Sequence, residues 1–594
     1  MRKRLSLIVI LISFVPFSVL AATMPTIAFE QSNTIMVTAG PAKEMTHRNN
    51  THEHENVIPY QRKGIQQLIY DRGYNYTVAE NRVTQLSYED RKALCGYKPI
   101  TAPEENVSEN VMFFSCLPKA KKAKLKAVET ESQPSSSYDA MALGYVTPVK
   151  NQGACGSCWL FAATAEFESM TLKNEGVEFD FSEQELGDCN IWSTAGGYDF
   201  CDGGNAFMTA NYFTKHGSAT ETCHPYAATQ KTCYNCAALK TVNNWRMITG
   251  AEGESQIDTI KNAIQNYGPV YSTIYASDPG FRGYSGGVYE YWDPEAVNHA
   301  IEIIGWDDTL PHTHGTGAWL VKNSWGTSWG ASGPYPGCAW VAYGAANIGD
   351  YTTAIASYED SEGVIFYHDE CGWMGYQYGG WGPTAYGAVR FTPLQDLTLT
   401  AVDFWAVDSN MEYELKIFDT FNADSSSYSF SVQRGTTQTG TIDEIGYYSI
   451  LLDTPVQLVS ENDFIVQVRL TSTESDYPLP IDYYDTSWLP AWSEIATFSG
   501  ESYYSADGSQ FYSTSFYDIG IRARAVNATN PCNKGDFNCN GISADADDLA
   551  MMVDAAVGKY VPEQKYDLNN NCIFADVSDL EMMKDASEDK IELM

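Results

Sequence analysis

The residues of this chain best suited to covalent chemistry lie in Asn151-Gln152-Gly153-Ala154-Cys155-Gly156-Ser157-Cys158-Trp159. Cys158 opens the run Trp159-Leu160-Phe161-Ala162-Ala163-Thr164-Ala165-Glu166-Phe167, whose spacing predicts a helix with apolar residues on one stripe. At a helix N-terminus, unpaired N–H groups and the helix dipole favour the thiolate, the form of cysteine that attacks. Such a nucleophile needs a proton partner and a group to orient that partner. Asn298-His299-Ala300-Ile301-Glu302-Ile303-Ile304-Gly305-Trp306 carries a lone histidine into an apolar strand. Val321-Lys322-Asn323-Ser324-Trp325-Gly326 then supplies an asparagine and a tryptophan able to shield it from water. Cys155-x-x-Cys158 is also the spacing of a redox pair, but no βαβ pattern surrounds it. His299 alone would read as a core histidine; three flanked stretches in this order read as nucleophile, base and orienter.

Positioning these groups takes only part of a chain of 594 residues, which is too long for one core. The 37 basic against 75 acidic residues give a net charge of −38, which argues against a nucleic-acid partner. Fourteen cysteines in clusters suit disulfides in an oxidising compartment. Arg2-Lys3-Arg4, the apolar stretch Leu5 to Leu20 and Ala21-Ala22 read as a signal peptide over residues 1–22, and so as a secreted protein; an uncleaved membrane anchor is the other reading. Residues 23–133 are polar and irregular, with His47, His52 and His54 in a hydrophilic stretch. They close on the basic run Lys119-Ala120-Lys121-Lys122-Ala123-Lys124-Leu125-Lys126 and a serine-rich segment, the composition of an exposed linker or of a processing site.

Cys155-Gly156-Ser157-Cys158-Trp159, with His and Asn far downstream, resembles the signature of papain-like cysteine peptidases. The resemblance is continuous over 134–357 and implies an α+β peptidase domain that needs no cofactor for catalysis. It assigns Cys158 as nucleophile, His299 as acid and base, Asn323 as orienter, and Gln152 with the Cys158 N–H as oxyanion donors. Cys201-Asp202-Gly203-Gly204 resembles the family's cleft edge, where Gly203 and Gly204 let substrate backbone lie in extended form, with Asn205, Ala206 and Val297 near the side chain before the cut and Trp325 over the base. Phe181-Ser182-Glu183-Gln184-Glu185-Leu186 resembles the family's second helix, capped by Ser182. Family pairing joins Cys155 to Cys201 and Cys189 to Cys233, which leaves Cys223 and Cys236 as a further bridge; a zinc site from Cys223, Cys233 and Cys236 is the competing reading. Gly73-Tyr74-Asn75-Tyr76-Thr77 and Leu86-Ser87-Tyr88-Glu89-Asp90-Arg91-Lys92-Ala93-Leu94-Cys95-Gly96 resemble the short helical pro-segments of microbial members, which makes 23–133 a pro-segment, the chain a zymogen and the lysine run its activation site. Cys116 is a candidate partner for Cys95 within this segment, and Cys371 a candidate partner for Cys338, which has none in the family. Asp307-Asp308-Thr309-Leu310-Pro311-His312-Thr313-His314-Gly315 exceeds the family's usual length; its His312-x-His314 suits a hairpin tip, a metal pair or a cap on the cleft.

Over 358–526 the pattern changes to short alternating strands, such as Glu412-Tyr413-Glu414-Leu415-Lys416-Ile417 and Ile519-Gly520-Ile521-Arg522-Ala523-Arg524. These predict an antiparallel β-sandwich, and the segment resembles the lectin-like sandwich that follows some microbial papain-like peptidases. Trp373, Tyr376, Tyr378 and Trp381 suit either sugar stacking, hence a carbohydrate partner, or a buried sheet. Residues 527–531 read as a linker. Two copies of an acidic loop and apolar helix then fill 532–594 and resemble a dockerin-like module, a small α-helical EF-hand pair. The resemblance implies structural Ca2+ held by Asp536, Asn538, Asn540 and Asp548, and by Asp567, Asn569, Asn571 and Asp579, and a cohesin-bearing partner. Cys572 stands where such a loop has glycine, within reach of Cys532 or Cys539.

The expected function is secreted hydrolysis of protein or peptide substrates through a Cys158–His299 thiolate–imidazolium pair. The competing class is a surface-binding or scaffold-docked protein with an idle peptidase fold, against which the intact set of Gln152, Cys158, His299 and Asn323 argues. Acyl transfer uses the same residues.

Overall fold

The computed structural model describes residues 62–98 and 134–527, short stretches apart (the longest is 484–498), together with the backbone of 111–113. The signal segment, the lysine run, Cys116 and the eight calcium ligands from Asp536 to Asp579 lie outside the described residues. Among the described residues no helix is long and apolar enough to cross a membrane.

Helix Cys158–Glu175 is the axis of the catalytic domain, and Gly176 ends it in the left-handed region at φ 70°. The sequence predicts one apolar stripe; instead every residue from Cys158 to Thr171 is buried, Glu166 and Glu168 included. The helix tolerates this because both carboxylates are satisfied. The Ile355 N–H donates to Glu166 at 2.6 Å, while Thr147 and Lys150 donate to Glu168 at 2.7 Å each. Two shorter helices follow. Ser182 starts Glu183–Asp188 by accepting from the Glu185 N–H, as expected, and Asn205 starts Ala206–Lys215 by accepting from the Phe207 and Met208 N–H groups.

Against the axial helix packs an antiparallel layer built on the long hairpin of His299–His312 and Gly315–Lys322. Its tip is the two-residue turn Thr313-His314, and the rings of His312 and His314 lie 5.5 and 4.1 Å from Trp292. The pair thus anchors a hairpin tip on an aromatic ring. Three bridges form as expected: Cys155–Cys201, Cys189–Cys233 and Cys223–Cys236, which rules out the three-cysteine zinc site. The expected Cys338–Cys371 bridge does not form. Both thiols are free and buried, Cys338 beside Ile304 and Leu320 and Cys371 beside Trp192, in separate apolar clusters.

The two expected domains share one sheet. Strand Gly446–Leu458 of the sandwich pairs with Lys240–Met247 of the catalytic domain, through Gly446↔Arg246 and Tyr447↔Trp245. A sheet of thirteen strands therefore runs without a break from Tyr76–Val78 to the sandwich, and the boundary expected at 357/358 falls inside strand Thr353–Asp360. A sheet of six strands forms a second layer of the sandwich. Two arginines of strand Ile521–Asn527 fasten the junction. Arg522 forks onto Asp369, Nε to Oδ1 at 2.8 Å and Nη2 to Oδ2 at 2.7 Å, and donates to Thr214 and Asn211 of the catalytic domain. Arg524 donates to Asp403 at 2.5 Å and Glu359 at 2.7 Å.

Residues 62–98 form an arm with more order than its polar composition suggests. Helix Arg62–Asp71 leads to strand Tyr76–Val78, which pairs antiparallel with Tyr284–Tyr289. Asn81 caps Arg82–Gln85 and Ser87 caps Tyr88–Ala93, after which the chain turns extended.

Candidate active site

Cys158 is the first residue of its helix, so its N–H has no acceptor within the helix. Ser157 stands at the N-cap position but gives no side-chain cap; its hydroxyl meets the Tyr226 hydroxyl at 2.6 Å, and Tyr226 donates on to the Gln152 carbonyl at 2.7 Å. The Ala300 N–H donates to the Cys158 sulfur at 3.5 Å, which puts the thiol against the start of the His299 strand.

His299 is fully buried, and its Nε2 lies 2.8 Å from the Asn323 Oδ1. Trp325 covers the ring at 4.7 Å between centroids and is itself backed by Phe281 and Trp329. The Asn323 oxygen also accepts from the Ser324 N–H at 2.8 Å, which fixes the amide's orientation. Gln152 is held just as firmly: its Oε1 accepts from the Ser324 hydroxyl at 2.7 Å, and its Nε2 donates to the Cys155 and Leu94 carbonyls at 2.8 and 3.1 Å. Gln152, Cys158, His299, Asn323 and Trp325 are therefore brought together as expected. Ser324 and Tyr226 were not legible as members of the site, since nothing in the sequence ties a serine beside the asparagine to a distant glutamine.

The arm occupies this site. Leu94 places its carbonyl on the Gln152 amide, and the Gly96 N–H faces the thiol sulfur together with the N–H groups of Ala300 and Trp159. Next outward, the Gly204 N–H donates to the Gly96 carbonyl at 2.9 Å, the Lys98 N–H to the Gly204 carbonyl at 3.0 Å, and the Tyr97 N–H to the Asn298 carbonyl at 3.0 Å. Tyr97 thus bridges Gly204 in parallel. Its ring is buried in the same apolar cluster as Val297 and lies 5.9 Å from that of Tyr351.

Both cleft glycines earn their place sterically. A Cβ on Gly203, at φ 109°, would lie 2.2 Å from the Gly96 carbonyl oxygen, and one on Gly204 would lie 2.5 Å from the Trp159 ring. Gly96 is under the same constraint, since its Cβ would meet the Gly156 carbonyl oxygen. A glycine after the Tyr88–Ala93 helix was the one sequence signal for this contact. Asn205 proves to be a helix cap whose Nδ2 donates to the Lys98 carbonyl at 3.2 Å.

Burial under the arm reverses the charge state that the helix N-terminus favours. It pushes the Cys158 thiol up to about 12, against the N–H groups of Ala300, Gly96 and Trp159, which pull it down. Burial likewise lowers His299 to about 4, opposed by Asn323 and the nearby Leu94 carbonyl. The occluded pair is a neutral thiol and a neutral imidazole. Among the described residues no group of three or more His, Cys, Asp or Glu is placed to hold a metal ion.

The model of the papain family cysteine proteases matches residues 134–339, and that of the lectin like domain matches 365–532. A cathepsin L-like proteinase of Fasciola hepatica is 32% identical over 273 residues, 45% of this chain and 75% of that protein. Cathepsin J of Rattus norvegicus is 37% identical over 195 residues, 32% of this chain, and the match spans only 56% of its length. The crystal structure of the cysteine protease and lectin-like domains of Cwp84, a surface layer associated protein of Clostridium difficile, covers 76% of this chain and 98% of its own, at a TM-score of 0.56 and 20% identity. That likeness extends the shared fold across both domains. With a relative matched over three quarters of its length and the expected disulfide frame in place, the chain belongs to the papain family of cysteine proteases.

Proposed function

We propose that this protein is a secreted endopeptidase made as a zymogen, whose arm blocks the cleft until it is cut away. The observation that carries the reading is the convergence of Cys158, His299–Asn323 and Gln152 around the Leu94 carbonyl. A substrate carbonyl at that carbonyl's position meets the Gln152 amide. Departure of the arm rehydrates the pair, and the proton passes from Cys158 to His299. The thiolate then attacks the substrate carbonyl, and the oxyanion rests on Gln152 and the Cys158 N–H, each donor contributing on the order of a few kcal/mol. The imidazolium protonates the leaving amine. The imidazole next takes a proton from water, whose hydroxide releases the acid and returns the thiolate.

Activation falls between about Lys119 and Ser137, within the stretch that ends in the lysine run and the strand Ser137–Asp139. The repeat at 532–594 would bind calcium through Asp536, Asn538, Asn540 and Asp548 and their counterparts, and dock on a cohesin-bearing partner. The shared fold with a surface layer associated protein supports an extracellular site of action. Denatured casein, incubated with the processed protein with and without a thiol-reactive inhibitor, tests the central reading: inhibitor-sensitive cleavage is expected, and intact casein would refute it.

A further inference from the structure

Beside the cleft, at the junction of the two domains, lies a cavity of ≈ 150 Å³. Its walls come from Trp192, Phe207 and Met208 of the catalytic domain and from Trp373, Met374 and Trp405 of the lectin-like domain. The aromatic walls support one another, Phe207 lying 5.8 Å from Trp373 and Trp373 6.3 Å from Trp405. The cavity is continuous with the substrate track, because Gly204, Asn205 and Lys98 also line it. Lys98 reaches over its edge to donate to the Tyr198 hydroxyl at 2.8 Å.

The arm numbers the positions along this track. Gly96 sits at the sulfur, Tyr97 bridges Gly204 with its ring in the Tyr351 pocket, and Lys98, one residue further out, reaches the cavity. Side chains alternate along an extended chain, so a third residue is aimed away from the Tyr97 pocket. A cavity of this volume accommodates a benzene ring. We infer that the lectin-like domain completes a substrate pocket of the peptidase, in which Trp373, Met374 and Trp405 close over an apolar or aromatic side chain at the third residue before the scissile bond. The inference rests on the peptidase reading of the cleft and adds to it a role for the second domain: it selects sequence in the substrate. Arg522 donates across the junction to Thr214 and Asn211, and Arg524 to the Thr214 and Val242 carbonyls, which holds the two walls together and suits a pocket of defined size.

The test uses the full chain carrying Cys158→Ala, nicked in the lysine run, and two hexapeptides that both have tyrosine as the second residue before the cut. They differ only at the third, phenylalanine in one and glycine in the other. Competition from any retained arm scales both dissociation constants equally, so their ratio is the readout. The phenylalanine peptide is expected to bind about tenfold more tightly or better, the gain from burying one phenyl group. Met208→Trp, which fills the cavity, should reduce the ratio to below about twofold, and Met374→Phe gives the same reading if the first variant fails to fold. A wild-type ratio near one, or an unchanged ratio in a folded cavity-filled variant, overturns the pocket. Hydrolysis of the same peptides by the activated wild type keeps the two readings apart. Equal thiol-sensitive cleavage of both sinks the pocket and leaves the peptidase; discriminating binding without cleavage by the wild type does the reverse.

Discussion

Two bodies press on the catalytic domain, and they are held by opposite chemistry. The arm crosses the cleft through backbone rungs to Gly204 and Asn298, and its fit depends on Gly96, Gly203 and Gly204 having no side chains. The lectin-like domain is held by a shared sheet and by the wholly buried Arg522, which pairs with Asp369 of its own domain and donates across the junction to Thr214 and Asn211. Backbone rungs to Gly204 and Asn298 can be remade by another extended chain, which on the proposed reading is the substrate. A buried ion pair accepts one partner only, and loss of either member leaves a charge stranded. The contrast separates a removable occupant from a permanent wall.

The largest expected effect leaves both contacts intact. Cys158→Ala should cut turnover by ~10⁴-fold or more, because the attacking atom is gone, while the melting temperature and the arm's hold on Gly204 stay as they are. Casein cleavage and calorimetry on the same preparation check it. Substantial residual activity would mean that another group attacks.

Arg522→Ala strikes the permanent contact. It strands the Asp369 carboxylate and frees Asn211 and Thr214, at a cost of about 3–5 kcal/mol. A double variant, Arg522→Met with Asp369→Leu, should recover much of that loss, since the pair can be replaced by packing. Denaturant unfolding measures both, and equal destabilisation by the single and double variants would contradict the stranded-charge account.

How far the sequence revealed the molecule follows the same division. Cys158, His299, Asn323, Gln152 and the bridges through Cys155 and Cys189 were legible because local flanking residues mark each of them. The charge state was not. A helix N-terminus favours a thiolate, but the sequence does not say that Leu94 to Lys98 will cover it, and desolvation by a distant segment outweighs the local N–H groups. The junction was hidden for a similar reason. Trp373 reads more readily as a buried sheet aromatic than as a sugar platform, but the sequence does not say that Phe207 and Trp405 bury it at the domain boundary, at 2% exposure. Cys371 was only a candidate partner for Cys338, and the sequence carries no sign that the two fall in separate apolar clusters.

Cys155→Ala tests the floor beneath the arm. The Cys155–Cys201 bridge closes a loop of 46 residues next to Gly156, whose N–H donates to the Cys201 carbonyl. Its loss should cost about 2–5 kcal/mol, with the junction to the lectin-like domain unaffected. Hydrogen exchange that rises around Gly156 and Gly203 but not around Arg522 would bear this out, and a uniform rise would count against it.

The smallest effect probes the removable contact itself. Gly96→Ala forces a Cβ against the Gly156 carbonyl, an overpacking cost of about 1–3 kcal/mol that should raise the open fraction of the uncut chain accordingly. Alkylation of Cys158 in the uncut protein reads that fraction, and an unchanged rate would show that the arm does not gate the thiol. The pH dependence has a definite sign. Closed, the pair holds one proton, on sulfur; open, an ion pair also holds one, on the imidazole, so closure is insensitive to pH in the middle range. At low pH the open form takes its second proton on sulfur and the closed form takes its second on His299, at about 4, so closure weakens on the acid side wherever the open thiolate is protonated at a higher pH than the closed imidazole. As pH rises through the open-state value of the His299 imidazolium toward the closed thiol's value of about 12, the open form releases a proton that the closed form keeps on sulfur, and closure weakens again. Gly96→Ala should lift the whole profile without moving either edge, because it changes packing and not the titration of the open pair. An edge that shifts with the substitution would place the pH sensor in the arm instead of in the catalytic pair.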